Sequence, residues 1–305
     1  MQLNWRAIRE FAQKHAWTRF AGSVILLGAA LLLLPRHRLA TALTHLDAVL
    51  MLASLPAFLA IHTLSGWKWL LLANRSGAGI GRLRALESYF AGIFGTLFLP
   101  TLGGDAVSIA LGSRYAKKPV GIVEGAVLSR GLDTVALAVL VGLAAVSVPD
   151  ALAESEARPL LALLGAVGTV AVAGAALLYV FRPEFRRPRA IAVPLVISMT
   201  VQTAFALMAL VIARSCRISI AFGPWMFAWL LAKLVTFVPL TIAGIGAREL
   251  ALAALLAPFG VPAEQAVTLG VAWDVVAVAG GAGAGVVAKV LARAAVRSEP
   301  VKVTT

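Results

Sequence analysis

A chain of 305 residues that is 60% hydrophobic and only 13% charged, with a mean hydropathy of +0.91, falls outside the soluble class, in which about a quarter of residues are charged. Its 27 Lys and Arg against 14 Asp and Glu lie in short clusters between apolar runs, where the membrane-orientation rule places them, which excludes nucleic acid as the partner. Cys216 is the single cysteine, so an intrachain disulfide and a thiolate metal cage are excluded too.

The first apolar run, about residues 17 to 34, follows Arg6, Arg9, Lys14 and Arg19 and precedes a small-residue LATA, a pattern that imitates a cleavable secretory signal. Pro35, Arg36 and Arg38 directly after the run predict a retained span instead. Further runs lie at about 47 to 72, 120 to 148, 160 to 181, 191 to 213 and 265 to 288, and a helix needs roughly 20 residues to cross. Two more regions, 86 to 110 and 222 to 258, are apolar but interrupted, at Pro100 to Gly104 and at Pro239 to Gly246. Their arms are short for full spans. The expectation is an all-α polytopic membrane protein, one integral membrane domain over 1–305, with about six transmembrane helices and two re-entrant hairpins.

Charge decides whether the interrupted regions cross or fold back. With both re-entrant and the N-terminus cytoplasmic, the cytoplasmic segments carry 18 Lys and Arg and the outer ones 5. With both crossing, the division is 14 against 9, a poorer match to the positive-inside rule. The re-entrant arrangement puts both termini in the cytoplasm and makes residues 47–148 and 191–288 an inverted repeat, each unit broken at a Pro and two Gly. Inverted repeats with broken helices point to a transporter site at the bilayer midplane.

Irregular backbone at membrane depth survives only where protein buries it or a polar cavity solvates it. Each second arm starts just after its break, near Asp105 and near Arg248, and aims a helix N-terminus at the membrane middle. Such an end favours anions. Glu249 in a first turn complements the helix dipole, and Asp105 reads as an N-cap. Arg248 opposes the dipole, so it needs a carboxylate across the cavity or an anionic substrate group. The other ionisable groups at depth are Arg130 and Asp133, three apart and thus a local salt bridge, Lys233, and Asp274, a counter-ion for Arg248 or Lys233. Asp133 and Asp274 occupy similar places in the two units. Glu124 and Lys68 read as solvated near the cytoplasmic end, and His62 as a packed helix residue.

GAGIG at 77–81 lacks the strand a dinucleotide fingerprint needs. GGAGAG at 280–285 reads as a small-residue face for close helix packing. No GxSxG, HExxH or P-loop occurs, and neither a cofactor nor a metal is expected.

The stretch PLTIAGIGARELALAALLAPFGVPAEQAV resembles the hallmark of the transmembrane region of the lysylphosphatidylglycerol synthase family, in which a proline, a glycine-rich turn and an Arg-Glu pair precede an apolar arm. FGTLFLPTLGGDAVSIALGSRYAKKPVGIVEGAVLSRGLD is similar to that family's other signature. The resemblance supports Pro100, Gly103, Gly104, Asp105, Arg130, Asp133, Gly244, Gly246, Arg248 and Glu249 as site residues. The residue reading adds Lys233, Pro239 and Asp274. Ser108 departs from the Arg that many relatives carry after the Gly-Asp turn, and no stretch of this sequence resembles the soluble aminoacyl-transferase domain of bifunctional members, so the expectation is that the chain does not make the lipid it moves.

What the resemblance implies is a flippase-like lipid translocator in a bacterial cytoplasmic (inner) membrane, not an enzyme. Its partner is a polar-headed lipid with a phosphate or other charged group, such as an aminoacylated phospholipid or a hopanoid or polyprenyl lipid. A homo-oligomer or a lipid-biosynthetic partner is compatible with this. The rival reading is a membrane enzyme or accessory subunit in polyprenyl or hopanoid biosynthesis, for which no catalytic constellation is visible.

Overall fold

The computed structural model describes residues 47–99, 103–148, 188–235 and 246–298. The expected spans at 17–34 and 160–181 lie outside the described residues, as do Pro100, Pro239 and Gly244.

The described residues are helical: α1 Ala48–Arg75, α2 Arg82–Gly95, α3 Gly103–Tyr115, α4 Pro119–Ala145, α5 Pro188–Ser215, α6 Phe222–Val235, α7 Ala247–Leu256 and α8 Ala263–Ser298, with a 3-10 turn at Ala257–Phe259. Helices α1, α4, α5 and α8 are long and apolar enough to cross a membrane. The protein is thus an all-α membrane protein. Boundaries follow local chemistry. Asp47 caps α1, its carboxylate accepting from the Val49 and Leu50 amides at 2.8 and 3.2 Å. Pro119 opens α4, at a position where a missing N–H is harmless.

Every close helix–helix packing maps onto another when α1 to α4 are exchanged with α5 to α8. Thus α4 packs on α6 as α8 packs on α2, α3 on α4 as α7 on α8, and α1 on α5 maps onto itself. The turns joining α1 to α2 and α5 to α6 repeat bond for bond at positions 140 apart. Ala78 donates to Ala73 as Ile218 donates to Ala213, each at 3.0 Å. Gly77 has φ 85° and Arg217, at the matching place, φ 58°. The turn geometry therefore demands the left-handed conformation, which glycine adopts freely and arginine adopts at a cost.

The main core lies around α6, where Trp225, Phe227, Trp229, Leu230 and Leu231 are all 2% exposed or less. The indole of Trp225 donates to the Ala206 carbonyl at 2.9 Å. The glycine-rich face of α8 packs as expected of small residues: a Cβ at Gly280 would meet the Phe58 ring at 2.5 Å, and one at Gly285 would meet Phe94 at 2.7 Å.

Candidate functional site

Two hairpins, α2–α3 and α6–α7, bring their second arms against α4 and α8. Gly103 and Gly104 start α3, where there is no room for side chains: a Cβ at Gly104 would fall 2.7 Å from the Gly92 carbonyl oxygen. Ser108 is buried on the same seam, its Oγ 1.8 Å from where a Gly92 Cβ would be. It is a packing residue between the two arms, which accounts for its departure from the larger cation.

Asp105, in the first turn of α3, gives its carboxylate to Arg130 of α4, which donates from Nε and a terminal nitrogen at 2.8 and 2.9 Å. This paired geometry replaces the expected N-cap role and overturns the local Arg130–Asp133 bridge. Shared helix face does not decide pairing when a fork-shaped guanidinium can meet a carboxylate of another helix two-pronged. The pair is accessible, Arg130 being 54% and Asp105 29% exposed.

Asp133 turns instead to Lys68 of α1, whose ammonium donates to it and, at 2.9 Å, to Ser198 of α5. Lys68 is fully buried, so the expectation of a solvated Lys68 is wrong. Distance from a helix end misled: the convergence of α1, α4 and α5 closes around the ammonium before it reaches an edge. Lys233 donates to Gln202 of α5 at 2.7 Å and lies over the Phe205 ring, 4.6 Å from its centre. His62 is packed as expected, against Phe58 and Phe205, and shares a 3.2 Å hydrogen bond with the Tyr89 hydroxyl.

In the second hairpin, Gly246 precedes α7 with φ 85°, and its amide donates to Glu249 Oε2. Glu249 thereby satisfies an N-terminal amide of its own helix, as its first-turn position predicts. Arg248 donates to Asp274 of α8, the expected counter-ion, and stands 3.7 Å from Glu249. The Arg248 side chain is only 9% exposed, and among the described residues its Nε has no hydrogen-bond partner. Its guanidinium also faces the Trp273 ring at 5.9 Å. Asp274 therefore corresponds in partnership to Arg130, not to Asp133: each binds the first turn of the arm preceding its own helix, with acid and base exchanged.

The two hairpins thus carry the same ion pair in opposite order, Asp105 to Arg130 and Arg248 to Asp274. Residue reading set Lys68 aside as solvated and missed Gln202, Ser198 and Tyr89. A polar side chain well inside an apolar run was the available signal for Lys68 and Gln202, because hydrocarbon tolerates such groups only when they are paired. Among the described residues, no group of three or more His, Cys, Asp or Glu is placed to hold a metal.

The family model described as the lysylphosphatidylglycerol synthase TM region matches the chain over residues 19–187 and 184–285. The chain belongs to this family. Membership gives it a lipid-related role in the membrane. A comparison with curated proteins returns no match.

Proposed function

We propose that the chain is a lipid translocator that carries a charged head group past the membrane middle while the acyl tails stay in the bilayer. The observation that carries this reading is Arg248: a nearly buried guanidinium at the start of α7 with an unsatisfied Nε, beside a helix end that itself favours anions. A phosphate is the group that fits a guanidinium fork best. Asp105, Arg130, Lys233 and Asp274 balance the charge, and Asp133 and Glu249 hold the frame. In this reading α2–α3 and α6–α7 are oppositely oriented re-entrant hairpins among six spans, with cytoplasmic termini in an inner membrane. The 18 to 5 division of basic residues supports that orientation.

Reconstitution into vesicles with a leaflet-specific assay tests it: transfer of unmodified phosphatidylglycerol that depends on the protein is the expected result. Chemical change of the lipid without transfer would move the chain to the enzyme class. Cysteines placed in a Cys216-free background test the orientation. Ser155→Cys labels from outside, whereas Lys117→Cys and Arg189→Cys label only after permeabilisation. Outside labelling at position 117 removes the first re-entrant hairpin.

A further inference from the structure

Lys68, Arg130, Lys233 and Arg248 are the basic residues outside the segments placed at the two membrane faces, and ion pairs join Lys68 to Asp133, Arg130 to Asp105, and Arg248 to Asp274 and Glu249. An anionic head group that takes Arg248 adds a negative charge beside acids already there, a deficit in a medium where an unmatched charge costs several kcal/mol by an order-of-magnitude reckoning.

The deficit falls at one corner. Arg248 serves two carboxylates, Asp274 directly and Glu249 at 3.7 Å. Glu249 is wholly buried and, among the described residues, its Oε1 has no hydrogen-bond donor, while Oε2 is occupied by the Gly246 amide. Gly270 makes the space: a Cβ there would stand 2.6 Å from Glu249 Cγ. Four residues on along the same face of α8 comes Asp274, and the two acids act on each other directly. The surrounding helices bring little cationic relief. From α6, Lys233 acts on Arg248 and on Asp133 and is bonded to Gln202. From α1, Lys68 is held by Asp133, and His62 lies near Lys233 and Arg130. From α4, Arg130 is engaged by Asp105.

We infer that an anionic head group and one proton bind together: as the anion takes Arg248, the Glu249–Asp274 pair takes a proton from water. The proton adds to a carboxylate oxygen and the O–H so formed is shared with the other acid, filling the vacant donor position at Oε1. No bond other than the Arg248–Asp274 ion pair is given up. The proton offsets the charge of the head group, so that binding the two together adds no net charge to the site. This inference rests on the translocator reading and adds its coupling.

The experiment uses the full chain in vesicles of phosphatidylcholine with a minor share of labelled phosphatidylglycerol, and reads the steady distribution of the label between leaflets. For one proton per lipid, a gradient of one pH unit shifts that distribution by up to about tenfold, since each 1.4 kcal/mol is a factor of ten. A potassium diffusion potential at equal pH leaves it unchanged. Asp274→Asn and Glu249→Gln each abolish the response to pH, and two variants guard against one that does not fold. Transfer that follows the potential and ignores the pH gradient overturns the coupling and leaves the translocator reading standing. Absence of any transfer by folded protein overturns both.

Discussion

The two hairpins are equivalent in packing and unequal in burial. Helix α6 is enclosed on nearly every side, and Arg248 beyond it is 9% exposed, whereas α3 buries only Gly104, Ser108 and Gly112, and Arg130 opposite it is 54% exposed. One ion pair therefore sits in the protein interior and its mirror counterpart stands open. The difference teaches that the same chemical unit, an acid and an arginine joining a hairpin to the next long helix, is enclosed by the protein to very different degrees in its two copies. In the interior each charge depends on the other, so an anion that takes Arg248 must also compensate the acids it frees.

Substitutions at the two pairs break or sharpen that comparison. Removing Arg248 strands two acids. Arg248→Ala should lower stability by about 3 to 5 kcal/mol, the usual size for a broken buried pair, and abolish lipid transfer. Arg248→Ala with Asp274→Asn should recover folded yield without recovering transfer, and Arg248→Lys should transfer poorly because an ammonium lacks the planar fork. Unfolding in detergent and vesicle transfer, measured on the same preparations, check all three. Normal transfer by Arg248→Ala would sink the anion site.

Lys68→Met should be of similar but purely structural size. It leaves Asp133 unpaired at a cost of about 3 kcal/mol, most of which returns in the double variant with Asp133→Leu. A smaller effect is expected at the α2–α3 seam. Gly104→Ala puts a methyl against a backbone oxygen, an overpacking of about 1 to 3 kcal/mol that thermal unfolding would register. At the open pair, Arg130→Ala should lower stability by less than Arg248→Ala, because it leaves one acid without its arginine where Arg248→Ala leaves two. A loss there as large as at Arg248 would erase the contrast between the hairpins.

The smallest effect concerns Cys216. Burial pushes its thiol up to about 11, above the ordinary cysteine value, so the reactive thiolate is scarce at neutral pH and becomes available only as pH approaches that value. The unsubstituted protein should resist maleimide at pH 7. Prompt labelling would show that the α5–α6 turn opens.

Much of the frame was legible beforehand because apolar length alone declares a crossing helix: α1, α4, α5 and α8 fall on expected runs. The starts of the second arms were legible as well: α3 begins at Gly103 and α7 directly after Gly246, where glycine meets demands local to the backbone. Partnerships were not. Arg130 and Asp133 are neighbours along one helix, yet each is bonded to a residue 25 or 65 positions away, a choice made by packing and invisible to spacing. Arg248 and Asp274 were paired correctly because opposition to the helix dipole requires a nearby anion. The turn correspondence escaped notice because Gly77 and Arg217 share a backbone angle and no side-chain chemistry.

The exchanged order of acid and base bears on how such a molecule diverges from a duplicated half. Turning Asp105–Arg130 into the order of Arg248–Asp274, or the reverse, takes two substitutions, and whichever comes first leaves like charges face to face. At the enclosed pair that intermediate sets two like charges inside the protein, a costlier state than at the pair the protein leaves uncovered. Reversing the polarity of a hairpin is therefore harder once packing has closed around it.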